Sequence, residues 1–106
     1  MALVDEMCKS DVKALSASEI DELAEKVPDW TRKDKEIEQE FEFEDFDQAI
    51  AFVDDVADLA AEEDHHPDIF LSYTLVRLTL STHKVGGLSR NDFIMAAKID
   101  DLVEEI

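Results

Sequence analysis

Glu36-Ile37-Glu38-Gln39-Glu40-Phe41-Glu42-Phe43-Glu44 alternates without a break. Successive side chains of an extended chain point to opposite faces, so Ile37, Gln39, Phe41 and Phe43 share one side and the five glutamates share the other. A strand with one apolar and one charged face belongs in an antiparallel sheet that is covered on one side only. At Asp45 the period changes to that of a helix. Phe46, Ala49, Ile50, Val53, Val56, Ala57 and Ala60 are expected on its inner face, with Asp47, Asp54, Asp55, Asp58 and Glu62 mainly toward solvent. Asp45 or Asp47 can cap its start, and Pro67 forbids its continuation.

The pattern extends in both directions from this junction. Upstream, Trp30 opens a short strand and Lys33-Asp34-Lys35 turns the chain. Before that, Ile20, Leu23, Ala24 and Val27 make a helical stripe that stops at Pro28. Ser16 and Glu19 fit a capping box, and Leu15 is placed to staple onto Ile20. Residues 1–14 show no sustained period and read as a loose N-terminal extension. Downstream, residues 69–73 form a strand, and residues 74–83 form a longer one in which Val76, Leu78 and Leu80 alternate with Arg77, Thr79 and Ser81. Gly86-Gly87 turns the chain, and Ser89 can cap a last helix with Phe93, Ala96, Ile99, Leu102, Val103 and Ile106 inward. The order α-β-β-α-β-β-α predicts an α+β fold. It has a four-stranded antiparallel sheet with three helices packed on one face, as a single domain over residues 15–106.

Composition narrows the function. The chain of 106 residues carries 28 Asp and Glu against 10 Lys and Arg, a formal charge of −18. Such a surface repels phosphate backbones and anionic lipid, which argues against nucleic-acid or membrane partners. No run of about 18 apolar residues is present to span a bilayer. The first twenty residues also lack the basic-then-apolar pattern of a secretory signal. The expectation is a soluble cytoplasmic protein. The carboxylates are spread along the chain rather than blocked together, which favours adaptation to a salt-rich cytoplasm over a docking surface for a basic partner. Cys8 is the single cysteine and reads as a free thiol without a role.

The chemistry-bearing residues cluster. His65, His66 and His83 lie within nineteen residues, the first two in Asp64-His65-His66-Pro67 and the third in Ser81-Thr82-His83-Lys84. Both stretches sit at element ends, where side chains can converge while their backbone stays anchored. On spacing alone three readings stay open. They are a metal site with Asp64 or Asp92, a histidine satisfying buried backbone groups near Pro67, and acid–base groups titrating near neutrality. The spacing matches no standard zinc pattern. No nucleophile elbow appears, and no phosphate-cradling glycine loop either, since Gly86 and Gly87 are the only glycines. Trp30, Phe41, Phe43 and Phe46 read as core, Met7 and Met95 as filler, and Tyr73 as either core or site.

Asp64-His65-His66-Pro67-Asp68-Ile69, Tyr73, Leu80-Ser81-Thr82-His83, Gly87-Leu88-Ser89, Asp92-Phe93 and Ala96-Ala97-Lys98-Ile99-Asp100 resemble the pterin-4a-carbinolamine dehydratase family. Trp30 and the stretch from Phe41 to Phe46 also resemble it, so the similarity covers roughly residues 15–106. It implies removal of water from a 4a-hydroxytetrahydropterin, the product of aromatic amino-acid hydroxylases, to give quinonoid dihydropterin. It also implies no metal or organic cofactor, and assembly as a homodimer or homotetramer. By the same resemblance, His65, His66, His83 and Asp92 are the catalytic set, and Asp64, His65, His66, Ser81, Thr82, His83 and Lys84 contact the pterin. One departure is Ala61, where the family usually has an acidic or polar residue; Glu62 and Glu63 stand beside it. Two other roles occur to a family of this kind: a dimerisation module for another protein, and a pterin-binding accessory with weak or no dehydration.

Overall fold

The alternating stretch is a central strand of a four-stranded antiparallel sheet. A computed structural model describes residues 2–104. Its elements in chain order are α1 (Ala17–Ala24), β1 (Thr31–Lys33), β2 (Glu36–Glu42), α2 (Phe46–Glu63), β3 (Asp68–Ser72), β4 (Leu75–Leu80) and α3 (Arg90–Glu104). The strands lie in the order β1-β2-β4-β3. Register follows the apolar pattern: Ile37 faces Leu80, Gln39 faces Leu78 and Phe41 faces Val76. That puts the inward residues of both central strands on one face, where α2 and α3 cover them, and α1 packs against α3. The expected α+β architecture is the observed one.

Local signals explain the helix ends. Ser16 Oγ accepts from the Glu19 N–H at 3.3 Å, and the Glu19 carboxylate accepts from the Ser16 N–H at 2.9 Å, completing the capping box. Asp45 caps α2 by accepting from the Gln48 N–H at 2.8 Å. The core is apolar and closed, with Phe52, Phe93, Ile37, Leu78, Leu80, Met95 and Ile99 fully buried. Burial of each such side chain is worth about 1.5–3 kcal/mol relative to exposure. Phe52 packs against Phe41 and Phe43 at ring-centroid distances of 5.0 and 5.1 Å. Gln39, the polar residue on the inward face of β2, donates to Asp100 at 3.0 Å, as does the Trp30 ring N–H.

Three details differ from expectation. The buried stripe of α2 runs through Ala49, Phe52, Val56 and Ala60, whereas Phe46, Ile50 and Ala57 are exposed. At 100° per residue this is a rotation of roughly 50° from the predicted face. Phe46 is therefore not core, and neither is Met7, which is 71% exposed. The second difference concerns the last strand, which ends at Leu80. Thr82 pairs with Gly87 as an isolated bridge, and His83–Val85 form a 3-10 turn capped by Gly86 in the left-handed region. In α3 the burial is broader than one stripe, since Ile94 and Met95 are covered along with Phe93, Ala96 and Ile99. Ile106, expected inward, lies outside the described residues.

The aperiodic N-terminal segment packs against α3. Leu3 is buried, Lys98 Nζ donates to the Val4 carbonyl at 2.9 Å, and the Arg90 guanidinium grips Glu6 through two bonds of 2.7 and 2.6 Å.

Candidate active site

The site begins where α2 stops. Asp64 takes a left-handed conformation (φ 51°), which Asp tolerates better than most residues, and the His65 N–H returns to the Ala60 carbonyl at 3.2 Å. This reversal directs the His65 ring inward, where its side chain is 10% exposed and Nε2 lies 2.7 Å from Asp92 Oδ1. Asp92 sits in the first turn of α3 and is completely buried. Its other oxygen accepts from Thr82 Oγ1 at 2.8 Å and from the Ser89 N–H at 2.9 Å. Because the Thr82 hydroxyl gives its proton to Asp92, the 2.7 Å contact between Thr82 and Ser89 must run from the Ser89 hydroxyl to Thr82 Oγ1. Asp92 thus braces the residue before α3, ties down the loop after β4 and holds His65 at once.

Paired with a carboxylate, His65 Nε2 carries a proton and donates it to the hydrogen bond. Nδ1 is then the nitrogen able to exchange protons with a ligand. Among the described residues Nδ1 makes no hydrogen bond.

All seven residues expected to contact a ligand line one cavity of about 380 Å³: Asp64, His65, His66, Ser81, Thr82, His83 and Lys84. Of the expected catalytic set, the three histidines line it and Asp92 stands behind His65. His66 and His83 are exposed, unlike His65. The volume suits a small heterocycle. Among the described residues no group of three or more His, Cys, Asp or Glu side chains is arranged to hold a metal ion.

Three further residues line the cavity that sequence reasoning missed: Lys9, Ser10 and Asn91. Lys9 and Ser10 come from the aperiodic segment, which carries no signal of its own. Asn91 precedes Asp92, and that adjacency was the one hint the sequence offered. Ala61 is exposed, and neither Glu62 nor Glu63 reaches the cavity. Glu63 instead accepts from the Cys8 N–H at 2.8 Å and lies 3.8 Å from Lys98 Nζ. Burial, and then the neighbouring Glu63, push the Cys8 thiol up to about 12. Burial likewise raises Asp100 above its ordinary value, against the two hydrogen bonds it accepts.

Comparison with known proteins gives one consistent set of relatives. The profile of the family described as pterin 4 alpha carbinolamine dehydratase matches residues 13–102. A protein of Nitrosospira multiformis named "Putative pterin-4-alpha-carbinolamine dehydratase" is 43% identical over 97 residues, covering 92% of this chain and 86% of the relative. A protein of the same name from Methylococcus capsulatus is 41% identical over 100 residues, covering 92% and 88%. Among solved structures, a transcriptional coactivator/pterin dehydratase from Brucella melitensis superposes with a TM-score of 0.81 at 33% identity, covering 85% of this chain and 98% of that one. A pterin dehydratase-like protein identified as a RuBisCO assembly factor of the alpha-carboxysome superposes at 0.57, with 30% identity and coverage of 69% and 84%.

Proposed function

The chain belongs to the pterin 4 alpha carbinolamine dehydratase family, and from that premise we propose that it removes water from a 4a-hydroxytetrahydropterin to give quinonoid dihydropterin. The observation that carries the reading is the convergence of His65, His66 and His83 on one cavity, with the buried Asp92 carboxylate behind His65. In this reaction the C4a–O bond breaks, the departing oxygen takes a proton and leaves as water, and N5 loses its proton as its electrons close the N5=C4a double bond. One group must give a proton and another must accept one, and a pair of imidazoles can do both. His65 and His83 form this pair in the proposal, with His66 orienting the ring. Asp92 fixes the His65 tautomer so that Nδ1 faces the chemistry. Asp64, Ser81, Thr82 and Lys84 hold the pterin. The proposed setting is pterin recycling after aromatic hydroxylation, in a salt-rich cytoplasm.

The reading includes self-association. Phe46 and Ile50 stand exposed on α2, and Ile69 and Phe70 on the edge strand β3, in a stretch without charge from residue 69 to 73. Such apolar surface on a small acidic chain fits a second copy of itself, as a homodimer or homotetramer. Screening should favour it, because each copy carries −18.

A second reading, a pterin-binding or assembly module without dehydration, is favoured by Ala61 at the position of an acidic or polar family residue. The likeness to a RuBisCO assembly factor points the same way. Absorbance traces of synthetic 4a-hydroxytetrahydropterin, with and without protein at low and high salt, separate the two. Dehydration well above the buffer rate supports the enzyme. Binding without acceleration at either salt supports the module.

A further inference from the structure

The cavity reverses the charge balance of the chain that forms it. Overall, acidic residues outnumber basic ones by 28 to 10, yet Lys9 and Lys84 line the cavity against a single aspartate, Asp64. Two imidazoles, those of His66 and His83, add positive charge when protonated. Among the described residues neither lysine ammonium pairs with a carboxylate; those of Lys13, Lys26 and Lys35 are unpaired as well, and what sets Lys9 and Lys84 apart is that they line the cavity of the three histidines. Cations left unpaired in so acidic a chain, beside a cavity, are placed for an anion that arrives with the ligand.

Lys9 reaches this position because the main chain on either side of it is tied down. Its N–H donates to Asn91 Oδ1 at 3.0 Å, and its carbonyl accepts from Asn91 Nδ2 at 2.7 Å, a two-bond clamp by a residue only 5% exposed. One residue earlier, the Cys8 N–H donates to Glu63. The clamp is continuous with the candidate catalytic groups, since Asn91 precedes Asp92 and Glu63 precedes Asp64-His65. The N-terminal segment is therefore part of the cavity, at a defined place relative to His65.

We infer that Lys9 is a substrate-positioning residue that makes the site select pterins whose C6 side chain carries negative charge, as a phosphate monoester does. This inference rests on the reading of the cavity as a pterin site. Ser10, beside it, offers a hydroxyl to the same group. The neutral ring occupies the histidines, and the charged end of the side chain lies toward Lys9.

The clamp uses only the main chain of Lys9, so side-chain replacement leaves the segment in place. The test pairs two oxidised pterins that differ only in a phosphate monoester on the C6 side chain. Their binding is measured by fluorescence in wild type, Lys9→Ala, Lys9→Glu and Lys9→Arg. Kinetics on the matching 4a-hydroxytetrahydropterins run alongside. Wild type should prefer the phosphorylated pterin by about tenfold, the size of one charge-assisted contact. Lys9→Ala should lose most of that preference, Lys9→Glu should reverse it and Lys9→Arg should keep it. The kinetic effect should fall on KM for the phosphorylated substrate, and added salt should erode the preference. Equal binding of both pterins by wild type, or an equal loss for both in Lys9→Ala, would overturn the inference. Turnover of the neutral substrate alongside such equality would leave the dehydratase reading standing. A Lys9-dependent preference in a protein that turns over neither substrate would do the reverse.

Discussion

Replacing Asp92 by Asn exchanges one carboxylate oxygen for a donor at a site with no solvent access, where His65, Thr82 and Ser89 contribute bonds of 2.7, 2.8 and 2.9 Å. With the amide oxygen toward His65, the new NH2 faces the Thr82 hydroxyl and the Ser89 N–H. The hydroxyl can rotate and accept, but the Ser89 N–H is left without an acceptor. With the amide flipped, His65 Nε2 must become the acceptor, and the ring proton moves to Nδ1. Losing one or two charge-assisted bonds and stranding a buried donor sums to about 3–5 kcal/mol. Rate should fall by about 100-fold or more, because one orientation weakens α3 and the other puts the wrong nitrogen toward the ligand. Thr82→Val is the control. It removes one of the three bonds for about 1–3 kcal/mol but keeps the His65–Asp92 pair, so its loss should fall mainly on KM, through Thr82's place in the pterin site, and kcat should fall far less. Urea unfolding followed by circular dichroism, with dehydration rates on the same samples, measures both quantities. An Asp92→Asn protein within about 1 kcal/mol of wild type, and within a few-fold in rate, would refute the reasoning.

Phe52→Ala should cost about 3–5 kcal/mol in the same unfolding assay, whereas Phe46→Ala, at an exposed position, should cost far less in the monomer. Equal costs would return Phe46 to the core. Cys8, with its thiol held up to about 12, should react with iodoacetamide at pH 8 much more slowly than a free thiol; rapid labelling of the native protein would contradict its burial. The Arg90 hydrogen bond holds Glu6 below its ordinary 4.5, so this clamp contributes fully above about that pH and is lost as pH falls through the lowered value. Hydrogen exchange of residues 3–9 should therefore rise in acid before the core opens, and Arg90→Ala should bring that exchange up to neutral pH. An unchanged profile in Arg90→Ala would remove Glu6 as the anchor.

Much of this was legible because period and burial are coupled. The alternation at 36–44 defines a one-sided sheet, and the Ser16–Glu19 box and Asp45 mark helix starts by side chains that serve the backbone directly. All seven residues expected to contact a ligand line one cavity because they follow directly on the ends of α2 and β4. The orientation of α2 was not legible. Phe46, Ile50, Phe52 and Val56 spread apolar residues over an arc of roughly 160°, and periodicity cannot tell which part of that arc turns to the core and which is left exposed. The N-terminal segment was invisible for a different reason. Beside Leu3 and Glu6, its docking uses main-chain groups of Val4, Cys8 and Lys9 meeting Lys98, Glu63 and Asn91, and main-chain hydrogen bonding leaves no mark on the sequence of the segment that supplies it. The His65–Asp92 contact spans 27 residues and follows no local spacing. Spacing offered Asp92 only as a possible metal ligand, and only the family resemblance placed it with the histidines in the catalytic set.

Single-turnover dehydration of synthetic 4a-hydroxytetrahydropterin should be compared for wild type, His65→Ala, His83→Ala and the double variant, with folding verified for each. Wild type should clear the substrate well above the buffer rate, and each single substitution should cost about 100-fold or more if the two imidazoles act as acid and base. Single variants within a few-fold of wild type, or a wild type no faster than buffer, would show that these histidines do not carry out the reaction.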